Sequence, residues 1–255
     1  MLIMTKINNI LQLQDKNSIL FSSWLTKQGL STSEISQLVV SGWLDRIAQG
    51  VYKFKGASPT LYDTIHSYND QLGKHCYIGA GTALDLRGYY HFIPMGKQPC
   101  FLFTPKNERL PLWINTLDWD MTIQYFTTNI FGDDGLGLEN NTSVGMDLTI
   151  SSPERAIMEC LYLCPKYFSQ MDVYYLMETL STLRPVLVQE ILEHCTSVKV
   201  KRLFMYMAER SGFQWFKSLN IPGINLGSGA RIVEKNGVYN SKYQITISKE
   251  LASYE

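Results

Sequence analysis

The stretch that decides the fold is LSTSEISQLVVSGWLDRIAQGVYKFKG, residues 30–56. Ser31 and Glu34 have the S-x-x-E spacing of a capping box, in which each residue satisfies a free backbone N–H of the other. This spacing predicts a helix that begins near Thr32 and stops at Gly42. Its apolar residues fall on one face and its small polar residues on another, so the helix is expected to be half buried.

The second half of the stretch, residues 41–56, predicts a β-hairpin. Leu44 and Ile47 are interleaved with charged residues, Gly50 supplies a tight turn, and residues 51–55 alternate again. Strict alternation on both sides of a glycine is the usual pattern of two paired strands. The hairpin is either ordinary core packing or a surface that meets a partner.

Residues upstream complete the unit. Apolar spacing predicts a helix over 5–13, ILF at 19–21 reads as a strand, and a helix is expected through Lys27 before Gly29 ends it. The order helix, strand, helix, helix, strand, turn, strand is that of a winged helix-turn-helix, with its core at about residues 5–56.

The rest of the chain predicts mixed structure. Strands and helices alternate to about residue 163, a helical block follows over about 171–218, and the end of the chain predicts a hairpin with Asn236-Gly237 as its turn. The fold class is therefore α+β, with an N-terminal domain over 1–95 that includes linker helices and a C-terminal α+β domain over 96–255.

Composition limits the classes of function. The formal net charge is zero, yet residues 1–60 hold six basic and three acidic side chains, so the first segment is the basic one. No apolar run is long enough for a membrane span, and no signal peptide is recognisable. With an odd number of cysteines and no C-x-x-C pair, we expect buried free thiols, a cytoplasmic location and no contact with a membrane.

No constellation of residues predicts catalysis. The four histidines lie beside no nucleophile motif and lack metal-ligand spacing, so we expect no catalytic residue, no cofactor and no metal. NLGSGAR at 225–231 lacks the lysine of a P-loop and reads as a turn that leads into a strand.

One enzymatic alternative remains open. IGAGTALDLRG at 78–88 is similar to the glycine-rich turn of nucleotidyltransferases, and LDWDM at 117–121 supplies Asp118 and Asp120 as candidate magnesium ligands. A further predicted strand and helix separate the two elements, whereas that family places its aspartates on the next strand. Nucleotidyl transfer is therefore the second hypothesis.

Nucleic-acid binding is the first hypothesis. The outward face of the second helix would read base edges in the major groove, and basic residues of the hairpin would meet phosphate. The candidate residues are Thr32, Ser33, Ser36 and Gln37 on the helix, and Arg46, Lys53 and Lys55 on the hairpin. Because winged helices also bind proteins, and no Lys or Arg occurs in 30–45, a protein-binding hairpin is a further alternative.

Six segments in order carry a resemblance to a known family. They are SSWLTKQGLS, SGWLDRIAQGVYKFKG, YIGAGTALDLRGYYHFIPMG, FLFTPKNERLPLW, SSPERAIMECLYL and LGSGARIVEKNGVYNSKY. In order and spacing they resemble the AbiEi antitoxins of type IV toxin–antitoxin systems, which act in abortive infection, and the resemblance runs from about residue 5 to about 248.

The resemblance implies a bacterial transcriptional regulator. Its winged helix-turn-helix would bind double-stranded DNA in its own promoter, so the protein would be an autorepressor. Its C-terminal domain would be needed for antitoxicity. Its partner would be a nucleotidyltransferase toxin encoded by the adjacent gene. Relatives commonly carry basic residues in the helix at 32–41, which this chain lacks. We therefore expect DNA binding either to be weaker or to depend more on the hairpin and on the C-terminal domain. Arg155, Lys199, Lys201 and Arg202 are available there, although a solvated helical face explains them at least as well.

Overall fold

The computed structural model describes residues 2–89, 96–132 and 135–254, with side chains from residue 6 onward. Its α-helices, in chain order, are α1 Leu2–Leu13, α2 Ser22–Lys27, α3 Thr32–Val40, α4 Leu61–Leu72, α5 Ala80–Leu86, α6 Pro153–Leu163, α7 Gln170–Thr179, α8 Pro185–His194, α9 Val198–Ser211, α10 Gln214–Lys217 and α11 Lys249–Ser253. Its strands are β1 Ile19–Phe21, β2 Leu44–Ala48, β3 Val51–Phe54, β4 Tyr77–Ile78, β5 Pro99–Thr104, β6 Thr122–Thr127, β7 Leu138–Asn141, β8 Leu148–Ser151, β9 Arg231–Ile232, β10 Val238–Asn240 and β11 Ile245–Ile247. The α+β class expected from the sequence is confirmed.

The first six elements follow the order predicted for a winged helix-turn-helix: α1, β1, α2, α3, β2, β3. All three strands are antiparallel neighbours in the order β1-β3-β2, so the hairpin β2–β3 is joined to β1. Buried apolar side chains from each helix and from the sheet close a core beneath them, among them Ile7, Leu25, Ile35 and Leu44.

Helix α4 covers the outer edge of β1. The backbone N–H groups of Ile19 and Phe21 donate to Ser67 Oγ at 3.1 Å and to Gln71 Oε1 at 3.0 Å. Gln71 also donates from Nε2 to the Ile19 carbonyl at 2.6 Å. Two side chains thus satisfy an edge strand that would otherwise be left unpaired.

The larger sheet has the order β6-β5-β4-β8-β7 and mixed direction. Strands β5 and β6 are parallel, β4 is antiparallel to β5 and parallel to β8, and β7 is antiparallel to β8. Strand β4 lies within residues 1–95, whereas its neighbours lie after residue 96, so the sheet joins both halves of the chain. The domain boundary predicted at residues 95 and 96 adjoins residues outside the described ranges.

Helix α6 is the central element of the C-terminal half. Ser152 accepts a hydrogen bond from the Arg155 N–H as N-cap and Pro153 occupies the first turn, as the sequence predicts. The helix contacts α5, α7, α8 and α9, and nearly all of its side chains are buried. A helix enclosed on every side must also bury its charged residues, which include Arg155 and Glu159.

The last three strands differ from the prediction. The third sheet has the order β10-β11-β9, in which β10 and β11 pair antiparallel and β9 joins β11 in parallel. The hairpin is therefore β10–β11, and the predicted turn at Asn236-Gly237 only links β9 to β10, which do not pair. Asn236 does adopt a left-handed conformation with φ 63°. The turn at Asn236-Gly237 was predicted correctly, but β9 pairs with β11 and not with β10, the strand that follows this turn.

All five cysteines are buried free thiols, as expected. Burial raises the pKa of the Cys100 thiol to about 12, so it stays protonated at neutral pH. Within the described ranges, no helix combines the length and the apolar character that crossing a bilayer requires.

Candidate nucleic-acid interface

The N-terminus of α3 is fixed by the predicted capping box. Ser31 Oγ accepts from the Glu34 N–H at 3.2 Å, and Glu34 Oε2 accepts from the Ser31 N–H at 2.7 Å. Lys6 of α1 donates to Glu34 Oε1 at 2.7 Å and to the Gly29 carbonyl at 2.8 Å. The Lys6 contact first, then those of Ser31, lower the pKa of Glu34 to about 2. These contacts hold α3 against α1 and the turn before it.

The outward face of α3 is polar and open. Thr32, Ser33, Ser36 and Gln37 are all exposed, while Ile35 and Leu38 are buried beneath them. Ser36 donates its hydroxyl proton to the Thr32 carbonyl at 3.0 Å, so its oxygen remains an acceptor only. In the described part of the chain, the Gln37 amide has no hydrogen-bond partner. The structure thus brings the four predicted helix residues onto one accessible surface.

The hairpin turn is held against α2. Gly50 has a φ of 70°, and its carbonyl accepts from the Ser22 N–H at 2.8 Å. A Cβ at this position would lie 2.8 Å from Ser22 Oγ, so both the conformation and the space favour glycine. A register shift between Arg46 and Ala48 bends the strand just before this turn.

The three predicted basic residues of the hairpin differ in their freedom. Arg46 is exposed and donates from Nε to the Ala48 carbonyl at 3.2 Å. Lys53 donates to the Ala57 carbonyl at 2.7 Å, and Lys55 forms an ion pair with Asp45 at 3.0 Å. Both lysines therefore already have partners within the protein, which the alternation of the sequence did not indicate.

Two exposed side chains near this surface, those of Lys27 and Trp43, were not among the predicted contact residues, and the apolar side chain of Val40 is exposed beside them. Lys27, the last residue of α2, is exposed and has no ion-pair partner among the described residues. Val40 is 89% exposed and Trp43 is 38% exposed, both at the end of α3 nearest the hairpin. Lys27 lies directly before the turn that leads to α3, and this position in the sequence could have indicated it as a further candidate.

The glycine-rich turn at 78–88, on which the nucleotidyltransferase hypothesis depends, is in contact with the buried side chain of Glu159. The Ala80 N–H donates to Glu159 Oε2 at 2.8 Å, and a Cβ on Gly79 would lie 2.3 Å from the same oxygen. Glu159 is fully buried and also accepts from Ser151 Oγ at 2.8 Å and from Arg155 Nε at 2.9 Å. A carboxylate thus occupies the position that a phosphate would need.

Asp118 and Asp120 do not form a metal centre with that turn. Both are exposed in the segment before β6, and Asp118 is ion-paired with Lys97. Across the described ranges, no three His, Cys, Asp or Glu side chains come together as metal ligands would. The geometry therefore offers no support for magnesium-dependent nucleotidyl transfer.

The loop at 225–231 encloses an arginine. The guanidinium of Arg202 donates to four backbone carbonyls at 2.6–3.1 Å, those of Leu226, Gly227, Gly229 and Gln244. The loop is therefore a structural turn, and its carbonyls point at a cation inside the protein.

The structure does not leave the four basic residues of the C-terminal half available to DNA. Arg155, Lys201 and Arg202 are buried, and Lys199 donates to the carbonyls of Tyr162 and Cys164 at 2.7 Å each. The last carbonyls of a helix have no hydrogen-bond partner within the helix, and Lys199 supplies a donor for these at the end of α6. The sequence could not show that Lys199 and Arg202 are held by carbonyls, because those carbonyls lie 24 or more residues away along the chain.

A solved structure shares this fold. The crystal structure of the RV2827C protein from Mycobacterium tuberculosis is similar with a TM-score of 0.64 over 97% of this chain and 92% of that chain. The two sequences are 14% identical, so the likeness concerns the fold alone. No curated protein matches the sequence significantly.

Two family models match the sequence and together span most of it. Residues 4–95 match the N-terminal domain of the AbiEi antitoxin, described as a transcriptional regulator. Residues 97–248 match the model described as transcriptional regulator, AbiEi antitoxin, type IV toxin–antitoxin system. With the fold and the polar face of α3 beside a hairpin, these matches show that the chain belongs to the AbiEi family of transcriptional regulators, the antitoxins of type IV toxin–antitoxin systems.

Proposed function

We propose that this protein is an autorepressor and antitoxin that binds double-stranded DNA in its own promoter and opposes a nucleotidyltransferase toxin encoded alongside. The observation that carries the DNA-binding part is the exposed polar face of α3, which lies next to the hairpin in an AbiEi N-terminal domain. The toxin partner rests on family membership.

Base recognition falls to α3. An exposed glutamine can donate to and accept from adenine in the major groove, which makes Gln37 the strongest candidate for direct readout. Thr32 and Ser33 carry hydroxyls that accept or donate with little preference between bases, and Ser36 can accept from a base. Exposed Val40 is suited to contact with a thymine methyl group.

Phosphate contact falls to cations around α3. Arg46 and Lys27 are exposed, and Lys53 keeps its charge because its partner is a neutral carbonyl, whereas Lys55 is already ion-paired with Asp45. Exchange of Asp45 for a phosphate gains little, because Lys55 is neutralised in both states. We therefore expect DNA affinity with a shallow dependence on salt, since each free cation that meets a phosphate contributes a slope of about −0.9.

The test is fluorescence anisotropy on a labelled fragment from upstream of the gene, over a series of salt concentrations, with a scrambled fragment as reference. Gln37→Ala is expected to weaken binding to the promoter about tenfold or more and binding to the scrambled fragment little. Lys27→Ala and Arg46→Ala are expected to reduce affinity for both fragments and to lower the salt slope by about one each.

Two further variants sharpen this test. Asp45→Asn is expected to strengthen binding to both fragments, because it frees Lys55. Lys235→Ala, an exposed charge change in the C-terminal half, is the matched control and should leave binding unchanged. Absence of promoter binding by the wild-type protein at low salt would refute the DNA-binding role, and a protein-binding hairpin would then be the better assignment.

The antitoxin role is tested separately by growth. Expression of a nucleotidyltransferase from the adjacent gene should arrest a bacterial host, and co-expression of this protein should restore growth. Gln37→Ala is expected to retain this rescue, because readout of DNA and antitoxicity are assigned to different parts of the chain. Growth arrest that persists in the presence of the folded wild-type protein would contradict the antitoxin assignment.

A further inference from the structure

A cavity of about 190 Å³ lies between α4, α5, the start of β5 and residues 167–168. Within the described ranges it takes no lining residue from α3 or the hairpin. Four aromatic side chains from three segments of the chain line it: Tyr62, Phe101, Tyr167 and Phe168. An apolar cavity of roughly 150 Å³ can hold one benzene molecule, so this space suits a single ring with one small substituent.

The aromatic wall of the cavity is well defined. Phe101 and Phe168 are both buried, with ring centres 5.0 Å apart, and the Tyr167 ring meets Phe101 edge-on at 6.2 Å. A Cβ on Gly81 would approach the Phe168 ring to 3.1 Å, so the backbone of α5 and this ring are in close contact. Such a wall presents ring faces and edges, which favours an aromatic guest.

The hydroxyl groups of Thr82 and Tyr62, which both line the cavity, differ in their availability. Thr82 Oγ1 accepts from the Phe101 N–H at 3.0 Å and donates to the Pro99 carbonyl at 3.1 Å, so it is already used. The Tyr62 hydroxyl has no hydrogen-bond partner in the described part of the chain, and burial is the main cause that raises its pKa well above the ordinary value. A poorly solvated hydroxyl without a partner favours a ligand that carries a polar group.

The described lining offers no counter-ion to a charged ligand. It contains no Lys, Arg or His, and Asp85 already has an interaction partner, so no contact with a ligand is assigned to it. Two lysines adjoin lining residues along the chain, but Lys97 is ion-paired with Asp118 and Lys166 lies over the Tyr167 ring at 5.0 Å. A charged group that entered this space would lose hydration without gaining a counter-ion, so the lining favours a neutral ligand.

We propose that this cavity binds a small neutral aromatic molecule with one hydrogen-bonding group beside its ring. The ring would lie against Phe101 and Phe168, and the polar group would meet the hydroxyl of Tyr62. Burial of the apolar ring supplies most of the affinity, and the hydrogen bond orients the ring. This binding is independent of the proposed contact with DNA.

The experiment compares three probes of nearly the same size on the wild-type full-length chain at neutral pH: neutral benzamide, anionic benzoate and cationic benzylamine. Saturation-transfer NMR and calorimetric titration should give a dissociation constant of about 1 mM or lower for benzamide. Both charged probes are expected to bind at least about tenfold more weakly, because each would be desolvated without a counter-ion. No binding of benzamide, or equally tight binding of either charged probe, would overturn the proposal.

The variant Tyr62→Phe tests the hydrogen bond. It should weaken binding of benzamide about fivefold, the usual effect of one uncharged hydrogen bond, and leave binding of toluene unchanged. Tyr175→Phe, which removes the same group from an exposed tyrosine outside the lining, is the matched control and should bind both probes like wild type. Unchanged affinity of Tyr62→Phe for benzamide, or an equal loss for toluene, would contradict the proposal.

A second variant locates the site. Met121 lines the cavity and is half-buried, so Met121→Trp fills part of the space and should abolish binding of both benzamide and toluene. Met121→Leu, which keeps a side chain of similar size, should bind both probes like wild type, and circular dichroism checks that both variants are folded. Unchanged binding of benzamide in folded Met121→Trp would place the ligand elsewhere and reject this cavity.

Discussion

Replacement of Glu159 by glutamine is expected to destabilise the protein strongly, although it changes neither the size nor the shape of the side chain. Glu159 is 0% exposed, and its two oxygens accept three hydrogen bonds from Ala80 N, Ser151 Oγ and Arg155 Nε. Glutamine has one oxygen and one NH2 group. Whichever way the amide is turned, its NH2 group faces an N–H donor at 2.8–2.9 Å.

The charge of Arg155 determines how much stability the Glu159→Gln variant loses. Burial disfavours its charged form, but the adjacent Glu159 carboxylate and Tyr77 together outweigh that effect, so the pKa of Arg155 is raised. In the variant the guanidinium stays charged but loses its carboxylate partner, while Tyr77 Oη and the Leu136 carbonyl remain as hydrogen-bond acceptors. Removal of one partner of a buried ion pair costs about 3–5 kcal/mol, which is a large part of the stability of an ordinary domain.

The measurement is urea unfolding followed by circular dichroism at pH 7. The midpoint should fall while the slope with denaturant stays unchanged, as expected when the native state loses stability without change in the surface exposed. Asp45→Asn is the matched control, because it also removes one carboxylate from an ion pair. Its pair with Lys55 is exposed, so its loss should change stability by less than about 1 kcal/mol.

A double-mutant cycle with Arg155→Met supplies the decisive result. If the two side chains stabilise each other, the loss of unfolding free energy in the double variant should be smaller, by at least about 1 kcal/mol, than the sum of the losses in the two single variants. Additive losses would refute the reasoning, and so would a Glu159→Gln variant within about 1 kcal/mol of wild type. Should Glu159→Gln fail to fold, Ser151→Ala removes one donor to Glu159 and should still lower the urea midpoint, and an unchanged midpoint would contradict the importance of this carboxylate.

Three further outcomes follow from single contacts. Arg202→Met removes the side-chain donor from the carbonyls of Leu226, Gly227 and Gly229, while the Gln244 carbonyl keeps the Arg231 N–H, and the variant should lower the free energy of unfolding by at least about 3 kcal/mol in urea titrations. Ser31→Ala removes the N-cap of α3 and should cost about 1 kcal/mol in the same assay, whereas Ser31→Asp should restore most of it. Because Lys6 and Ser31 lower the pKa of Glu34 to about 2 from 4.5, its stabilising effect is present above pH 4.5 and lost as the pH falls toward 2. The difference in urea midpoint between wild type and Lys6→Met should therefore shrink from pH 6 to pH 3, and a constant difference would contradict this pairing.

Features that depend on neighbours in sequence could be predicted. The capping box of Ser31 and Glu34, the glycine turn at Gly50 and the Ser152-Pro153 start of α6 all appear where the sequence places them. Each is set by residues within one turn of one another, so a short window contains the whole cause.

Features that depend on distant partners could not. Strand β7 has the polar sequence LENN and no alternation, and its Glu139 is held by Arg87 and Arg184, 52 and 45 residues away. Likewise, Arg202 looks like a surface cation on a helix until the carbonyls that surround it are brought in from residues 24 to 42 positions later. A charged residue is expected at the surface unless it is paired, and pairing is a property of the fold.

The electrostatics of the hairpin bear on how an AbiEi regulator with no basic residue in α3 could distinguish its operator from other DNA. Free lysines raise affinity for every sequence alike, because phosphates carry no sequence information. Here Lys55 is paired with Asp45, so contact with random DNA gains little from it. If α3 reads bases through Gln37 as proposed, a larger share of the binding free energy then comes from contacts that depend on sequence. Weak general attraction and a polar recognition helix would thus act together, lowering total affinity while preserving the ratio between operator and random sites.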